Sequence, residues 1–175
     1  MFDTSFDFAK IYNIESACFA NLFLQMDATG VTKNAPAPGG EAGVVNAQYE
    51  NGAKAQFRVT PITTANGTVY NIQSVATPQA YLCIDASSST GMSPDNPELC
   101  GGVVGCRLQA GAWEALTIKH PDDRKDVYTI GSQYFDNVFL RMGNEASQPS
   151  PHGGGIVNCR YNHYPWEHFK FVPVS

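Results

Sequence analysis

Two carboxylates close two segments of one pattern: Asp27 ends Leu24-Gln25-Met26-Asp27, and Asp85 ends Leu82-Cys83-Ile84-Asp85. A carboxylate fixed at a strand end can accept two hydroxyl hydrogen bonds, and amides offer a neutral version of the same contact. In a third matching segment, Leu140-Arg141-Met142-Gly143, glycine takes the acidic place and Asn144 follows it. Asn46 and Asn158 add two further amides at matching places in a later block. Trp113-Glu114 and Trp166-Glu167 bring aromatic faces suited to C–H groups. Hydroxyl acceptors beside an aromatic platform form the chemistry of binding a polyhydroxylated ligand. Each group also has a structural use. An Asp at a strand end caps its own backbone turn, and a Trp ahead of a core strand can plug a barrel end.

Bond-breaking chemistry finds little support. The chain contains no Gly-x-Ser-x-Gly, no His-Glu-x-x-His, no phosphate loop and no dinucleotide fingerprint. No catalytic residue and no cofactor is therefore expected. His152, His163 and His168 fall together near the end, but without an acidic or cysteine partner at ligand spacing no metal site is expected.

A repeat must position these groups. Tyr12, Tyr70 and Tyr128 are spaced 58 residues apart, and each opens a short β-like run. The same step carries residues 21–27 onto 79–85 and 137–143. A further block recurs as Gly43-Val44-Val45-Asn46-Ala47-Gln48-Tyr49, Gly102-Val103-Val104-Gly105-Cys106-Arg107-Leu108 and Gly155-Ile156-Val157-Asn158-Cys159-Arg160-Tyr161. Within every copy the apolar residues alternate, the mark of half-buried strands. Leu24-Met26, Leu82-Ile84 and Leu140-Met142 are predicted to face the core, with Gln25, Cys83 and Arg141 toward solvent. Val45-Ala47-Tyr49, Val104-Cys106-Leu108 and Val157-Cys159-Tyr161 are predicted to face inward, leaving Asn46-Gln48, Gly105-Arg107 and Asn158-Arg160 outside. Fourth strands follow near residues 56–59, 115–118 and 168–171. Asn66-Gly67 is a hairpin signal, because both residues tolerate positive φ; it also completes a glycosylation sequon with Thr68.

Twelve short strands in three units predict an all-β chain, a β-trefoil of three four-stranded units with pseudo-threefold symmetry. A β-prism is the competing threefold architecture; a propeller fits badly with three units. The whole chain, 1–175, reads as one domain with units near 8–65, 66–124 and 125–175. Long Pro/Gly loops span 28–42, 86–101 and 144–154.

Charged residues make up 15% of the 175, and the net charge is −5. With no basic stripe, nucleic acid is not an expected partner. No apolar run reaches the roughly 18 residues that span a bilayer. The N-terminal segment lacks the pattern of a secretory signal, which points to cytoplasmic synthesis, with any release by a non-classical route. Five cysteines, an odd count, argue against a disulfide framework; a local Cys100–Cys106 bridge is the remaining option.

The third unit carries Phe139-Leu140-Arg141-Met142, then Gly153-Gly154-Gly155-Ile156-Val157-Asn158-Cys159-Arg160-Tyr161, then Trp166-Glu167-His168-Phe169. This run resembles the repeat signature of fascin-like β-trefoil domains. The second unit keeps Trp113-Glu114-Ala115-Leu116, while the first has Ala53-Lys54-Ala55-Gln56-Phe57 instead. The resemblance spans almost the whole chain and implies the fold more strongly than a function. It also implies kinship with carbohydrate-binding trefoils, in which Asp27 and Asp85 look like the acceptor of sugar hydroxyls. The Gln-x-Trp motif of ricin-type lectins does not occur.

The sequence thus leads to a non-catalytic lectin for neutral glycans or glycoproteins, multivalent but with unequal sites, compatible with a homo-oligomer. The expected contacts are Asp27, Asn46, Asp85, Trp113, Asn144, Asn158 and Trp166. Two alternatives stand beside it. A protease inhibitor would use one dominant loop, with 86–101 the candidate, and a fascin-like cytoskeletal binder would want basic patches that this acidic chain lacks.

Overall fold

A computed structural model describes residues 6–31, 43–87, 102–144 and 155–175. Twelve strands appear in the expected order: β1 (Ile11–Ser16), β2 (Phe23–Asp27), β3 (Gly43–Gln48), β4 (Gln56–Thr64), β5 (Gly67–Ser74), β6 (Tyr81–Asp85), β7 (Gly102–Arg107), β8 (Leu116–Lys119), β9 (Tyr128–Ser132), β10 (Val138–Met142), β11 (Val157–Tyr161) and β12 (His168–Pro173). Three one-turn 3-10 helices, Ala53–Ala55, Ala112–Glu114 and Pro165–Glu167, precede β4, β8 and β12. No described helix is long and apolar enough to cross a membrane.

Six strands close a barrel through antiparallel pairs β1–β4, β4–β5, β5–β8, β8–β9, β9–β12 and β12–β1. Closure leaves this part of the sheet without edges. The pairs β2–β3, β6–β7 and β10–β11 form a cap over one end. The cap closes its own ring, with β3 on β7, β7 on β11, and Ala47 of β3 bridged to Gly155 just ahead of β11.

Core triplets fill the interior, the predicted Leu24, Leu82 and Leu140 among them. Ile14, Ile72 and Ile130 are fully buried, as are Leu24, Leu82 and Leu140, and Phe57, Leu116 and Phe169. All belong to one cluster. At the far end of the barrel Phe6 meets Tyr12, Tyr128 and Phe171, with ring centroids 4.8, 6.0 and 5.0 Å away. Three serines at the 58-residue step then turn the chain. Ser16, Ser74 and Ser132 each accept backbone N–H bonds from residues two or three positions ahead. These hydroxyls satisfy donors that would otherwise lack partners where the strands end.

Several sequence expectations need correction. Cys83 and Arg141 are buried, at 3% and 7% exposure, because the 3-10 turns fold back over β6 and β10. Arg160 is buried at 8%, against the Tyr164 ring and Glu167, whereas Tyr49, expected inside, is 56% exposed. The β4–β5 turn is Ala65-Asn66 between paired Thr64 and Gly67, and Gly67 rather than Asn66 takes the positive φ, +118°. Cys106 is a free, buried thiol, as its inward register predicts; Cys100 lies outside the described residues. So does most of each long loop, with Pro36, Pro38, Pro94, Pro97, Pro149, Pro151 and His152.

The β8–β9 connection is tied to the last strand by a directional polar chain. Arg124 Nη2 lies 3.1 Å from His168 Nδ1, and His168 Nε2 lies 3.4 Å from His163 Nδ1. A guanidinium only donates, so Nδ1 of His168 accepts and its proton sits on Nε2. Asp122 holds Arg124 at 2.7 Å from the other side. Burial, then Arg124 and His163, hold His168 below its ordinary value, against the opposing pull of Asp122.

Two outcomes follow. His168 is depressed in the fold, so its neutral form stabilises the protein fully above the ordinary histidine range, and this is lost as pH falls through the folded value. Thermal unfolding should therefore move to lower temperature between about pH 7 and pH 5, and His168→Gln should flatten that slope. The thiols make the second test. Burial pushes Cys106 up to about 12, and Cys159 is fully buried while Cys18 is exposed. Native protein should be labelled at Cys18, with Cys106 and Cys159 reacting only in denaturant.

Candidate ligand-binding site

The second and third units build the same stack of side chains. Glu114 Oε2 accepts the Gly111 N–H at 2.7 Å, and Glu167 Oε2 accepts the Tyr164 N–H at 2.7 Å, so each carboxylate closes its own 3-10 turn. The outer oxygens face arginines of the third strand: Arg107 Nε is 3.8 Å from Glu114 Oε1, and Arg160 Nε is 3.8 Å from Glu167 Oε1. Burial raises the Glu167 carboxyl above its ordinary value, against the Tyr164 N–H, Arg160 and Arg141. Asn13 and Asn71, both buried, donate to Ala55 O at 2.8 Å and Glu114 O at 2.7 Å, fixing the ends of the first two turns.

Each tryptophan is half-buried and covered by a cation. The Arg107 guanidinium lies 4.5 Å from the Trp113 ring centroid, and that of Arg141 lies 4.2 Å from Trp166. Stacking of this kind contributes about 0.5–2 kcal/mol. Phe135 meets Trp113 at 6.1 Å, and Phe19 meets Trp166 at 5.4 Å. One face of each indole is thus committed to holding the turn on the sheet.

The first unit replaces the whole stack. Lys54 stands where Trp113 and Trp166 stand, Ala55 where the glutamates do, and Gln48 where Arg107 and Arg160 do. Losing the carboxylate and the arginine together avoids a buried charge without its partner, which would cost about 3–5 kcal/mol. Lys54 Nζ reaches Asp27 Oδ2 at 2.6 Å, and their side chains are 47% and 27% exposed. Asp27 Oδ1 also accepts the Thr29 N–H at 2.9 Å. Lys54 and Thr29 hold the Asp27 carboxyl down at about 2, so it is ionised throughout the neutral range. Gln25, beside it on β2, donates to Glu50 O at 2.8 Å.

The other predicted contacts are not brought to one place. Asp85 is 2% exposed and accepts the Ser87 N–H and hydroxyl at 2.9 and 2.6 Å. Its Oδ2 is buried without a hydrogen-bond partner among the described residues, as is Asn158 Oδ1. Asn46 is half-buried opposite Gln25, and Asn144 is exposed beyond the end of β10. Sequence reasoning passed over Lys54 and the two arginines of the third strand. The available signal was the simultaneous loss of Trp, Glu and Arg from one unit of three.

The sequence matches no protein-family model and no curated protein. Solved structures do match. The ricin B-like lectin of Macrolepiota procera, solved with lactose, is similar with a TM-score of 0.57 at 13% identity, over 97% of this chain and 99% of that one. A Polyporus squamosus lectin, bound to a human-type influenza-binding epitope, gives 0.57 at 16% identity over 95% of this chain, which spans half the length of that lectin. The binding domain of botulinum neurotoxin serotype C1 gives 0.56 at 11% identity, over 95% of this chain and 43% of that one. The chain is a β-trefoil. At these identities the likeness fixes the trefoil fold, and the site must be argued from this chain's own residues. The fascin-like signature of the third unit finds no family match.

The buried ion pair of this trefoil can be tested by copying the first unit. Glu114→Ala alone should destabilise by about 3–5 kcal/mol, measured by urea unfolding, because it strands Arg107 and the Gly111 N–H. Adding Arg107→Gln should recover part of that loss; a strictly additive double variant would show that the pair is not coupled.

Proposed function

We propose that this trefoil is a non-catalytic carbohydrate-binding protein whose partners are neutral glycans, free or on glycoproteins. The observation that carries the reading is Asp27: an ionised carboxylate at a strand end, held by Thr29 and Lys54 with its side chain 27% exposed. Supporting it is the end-to-end likeness to a lectin solved with lactose. A pre-oriented carboxylate accepts hydroxyl protons without first losing rotamer freedom, which lowers the cost of binding a weak, polar ligand. Asp85 supports the reading less, since its side chain is buried and its Oδ1 is taken by Ser87.

One feature favours a second reading, docking of a protein. β4 runs nine residues where β8 runs four and β12 six, so the β4–β5 hairpin breaks the threefold pattern. It carries Ile62 at 37% exposure. Loop 86–101, the expected inhibitory element, lies almost wholly outside the described residues. An inhibitor would thus have the 60–68 arm as its described candidate.

Screening on an array of neutral oligosaccharides, beside a panel of proteases, separates the two. The expected outcome is retention of neutral glycans with weak affinity and no loss of protease activity. Protease inhibition that disappears on shortening the 60–68 arm, with no glycan retained, would replace the first reading by the second.

A further inference from the structure

We infer that the first unit alone binds sugar, and that Asp27 and Lys54 act there as a donor–acceptor pair that takes two neighbouring hydroxyls of a neutral sugar. This rests on the carbohydrate-binding reading above and specifies which unit, which groups and how many ligands.

The three matching strand ends differ in what they offer to solvent. Asp27 is partly exposed, Asp85 is 2% exposed, and Gly143 has no side chain. The ground above them differs too. In the second and third units an indole under a guanidinium occupies the turn, with a buried glutamate beneath. In the first unit Lys54, Ala55 and Gln48 replace those bulky groups, and Lys54 leans onto Asp27 instead. Of the three matching strand ends, that of the first unit is the one that pairs its carboxylate with an ammonium at the surface.

The pair's chemistry selects its ligand. An ammonium has three N–H donors, and one goes to Asp27. Among the described residues the carboxylate accepts from the Thr29 N–H and side chain and from Lys54, which leaves about one of its four acceptor sites. One sugar hydroxyl can therefore donate to Asp27 while its neighbour accepts from Lys54, and the ion pair stays intact. A neutral diol adds no charge to be desolvated. An anionic ligand would have to compete with Asp27 for Lys54, and a cationic one with Lys54 for Asp27.

Calorimetry with lactose, and with the strongest neutral oligosaccharide from the array, tests this. Wild type should bind close to one sugar per chain, with affinity unchanged between about pH 7 and pH 5, because the Asp27 carboxyl, held down at about 2, stays ionised there. Asp27→Asn keeps an oxygen for the Thr29 N–H but loses the charge, and Lys54→Met keeps the stem without the donors. Each should weaken binding at least about tenfold, the loss of one charged hydrogen bond, with thermal unfolding close to wild type. Lys10→Met, which removes the lysine of another exposed pair, with Asp7 at 3.8 Å, should change nothing. Two or three sugars per chain, or wild-type affinity in both site variants, would overturn this inference and leave the carbohydrate-binding reading in place. If wild type binds no sugar on the array, that reading falls and takes this one with it.

Discussion

Three close contacts around the pseudo-threefold axis govern how the cap of this protein is assembled. Gly43 lies against Cys106 Sγ, Gly102 against Cys159 Sγ, and Gly155 against the Ala47 Cβ. Each glycine of one unit thus meets the small residue of the next, and the third contact returns to the first unit. A Cβ at Gly43 or Gly102 would overlap sulfur, and one at Gly155 would overlap the Gly143 carbonyl. Close-packed interiors do not absorb such overlap without moving backbone. The contacts also fix the register of β3 on β7 and β7 on β11, through Gly43 opposite Cys106 and Cys159 opposite Gly102. Register in turn decides which side chains enter the core.

Outside that ring the units are free to diverge, and they do so in sets. Tryptophan, glutamate and arginine appear together in the second and third units and are absent together from the first. Their interdependence explains this. The glutamate closes the turn and balances the arginine, and an arginine covers the indole. Arg107 performs both tasks in the second unit; in the third they are divided between Arg160, against Glu167, and Arg141, over Trp166. Removing one member would leave a buried charge or a bare aromatic face. Removing all frees a surface for other chemistry, and Lys54 with Asp27 occupies it.

The same logic separates structural from ligand-facing carboxylates. Glu114, Glu167 and Asp85 are all nearly inaccessible and each accepts from backbone N–H groups nearby. Asp27 makes one such bond and keeps part of its surface in water. Residue type alone does not distinguish these roles, since all four are acids at the ends of short elements. Burial does, because a carboxylate with no solvent-facing oxygen has nothing to offer a ligand at the surface.

Much of the fold was legible in the chain itself. The 58-residue step of Tyr12, Tyr70 and Tyr128, and the alternation in Leu24-Met26 and its two copies, specified twelve strands, three units and the buried triplets. Such patterns are local, and one period recurring three times leaves few ways to bury every apolar face. The second layer was not legible. Cys83 and Arg141 sit in the solvent register of their strands, and only the 3-10 turns Ala112–Glu114 and Pro165–Glu167, far along the chain, fold over them and put them inside; Arg160, also in the solvent register, is covered by Tyr164 and Glu167. The site shared that fate. Asp27 and Asp85 are equivalent in sequence, yet one is partly open and paired with Lys54 while the other is closed and holds Ser87. Strand register follows from the period of a segment; what lies on top of a strand depends on a distant part of the chain, and that only the tertiary structure decided.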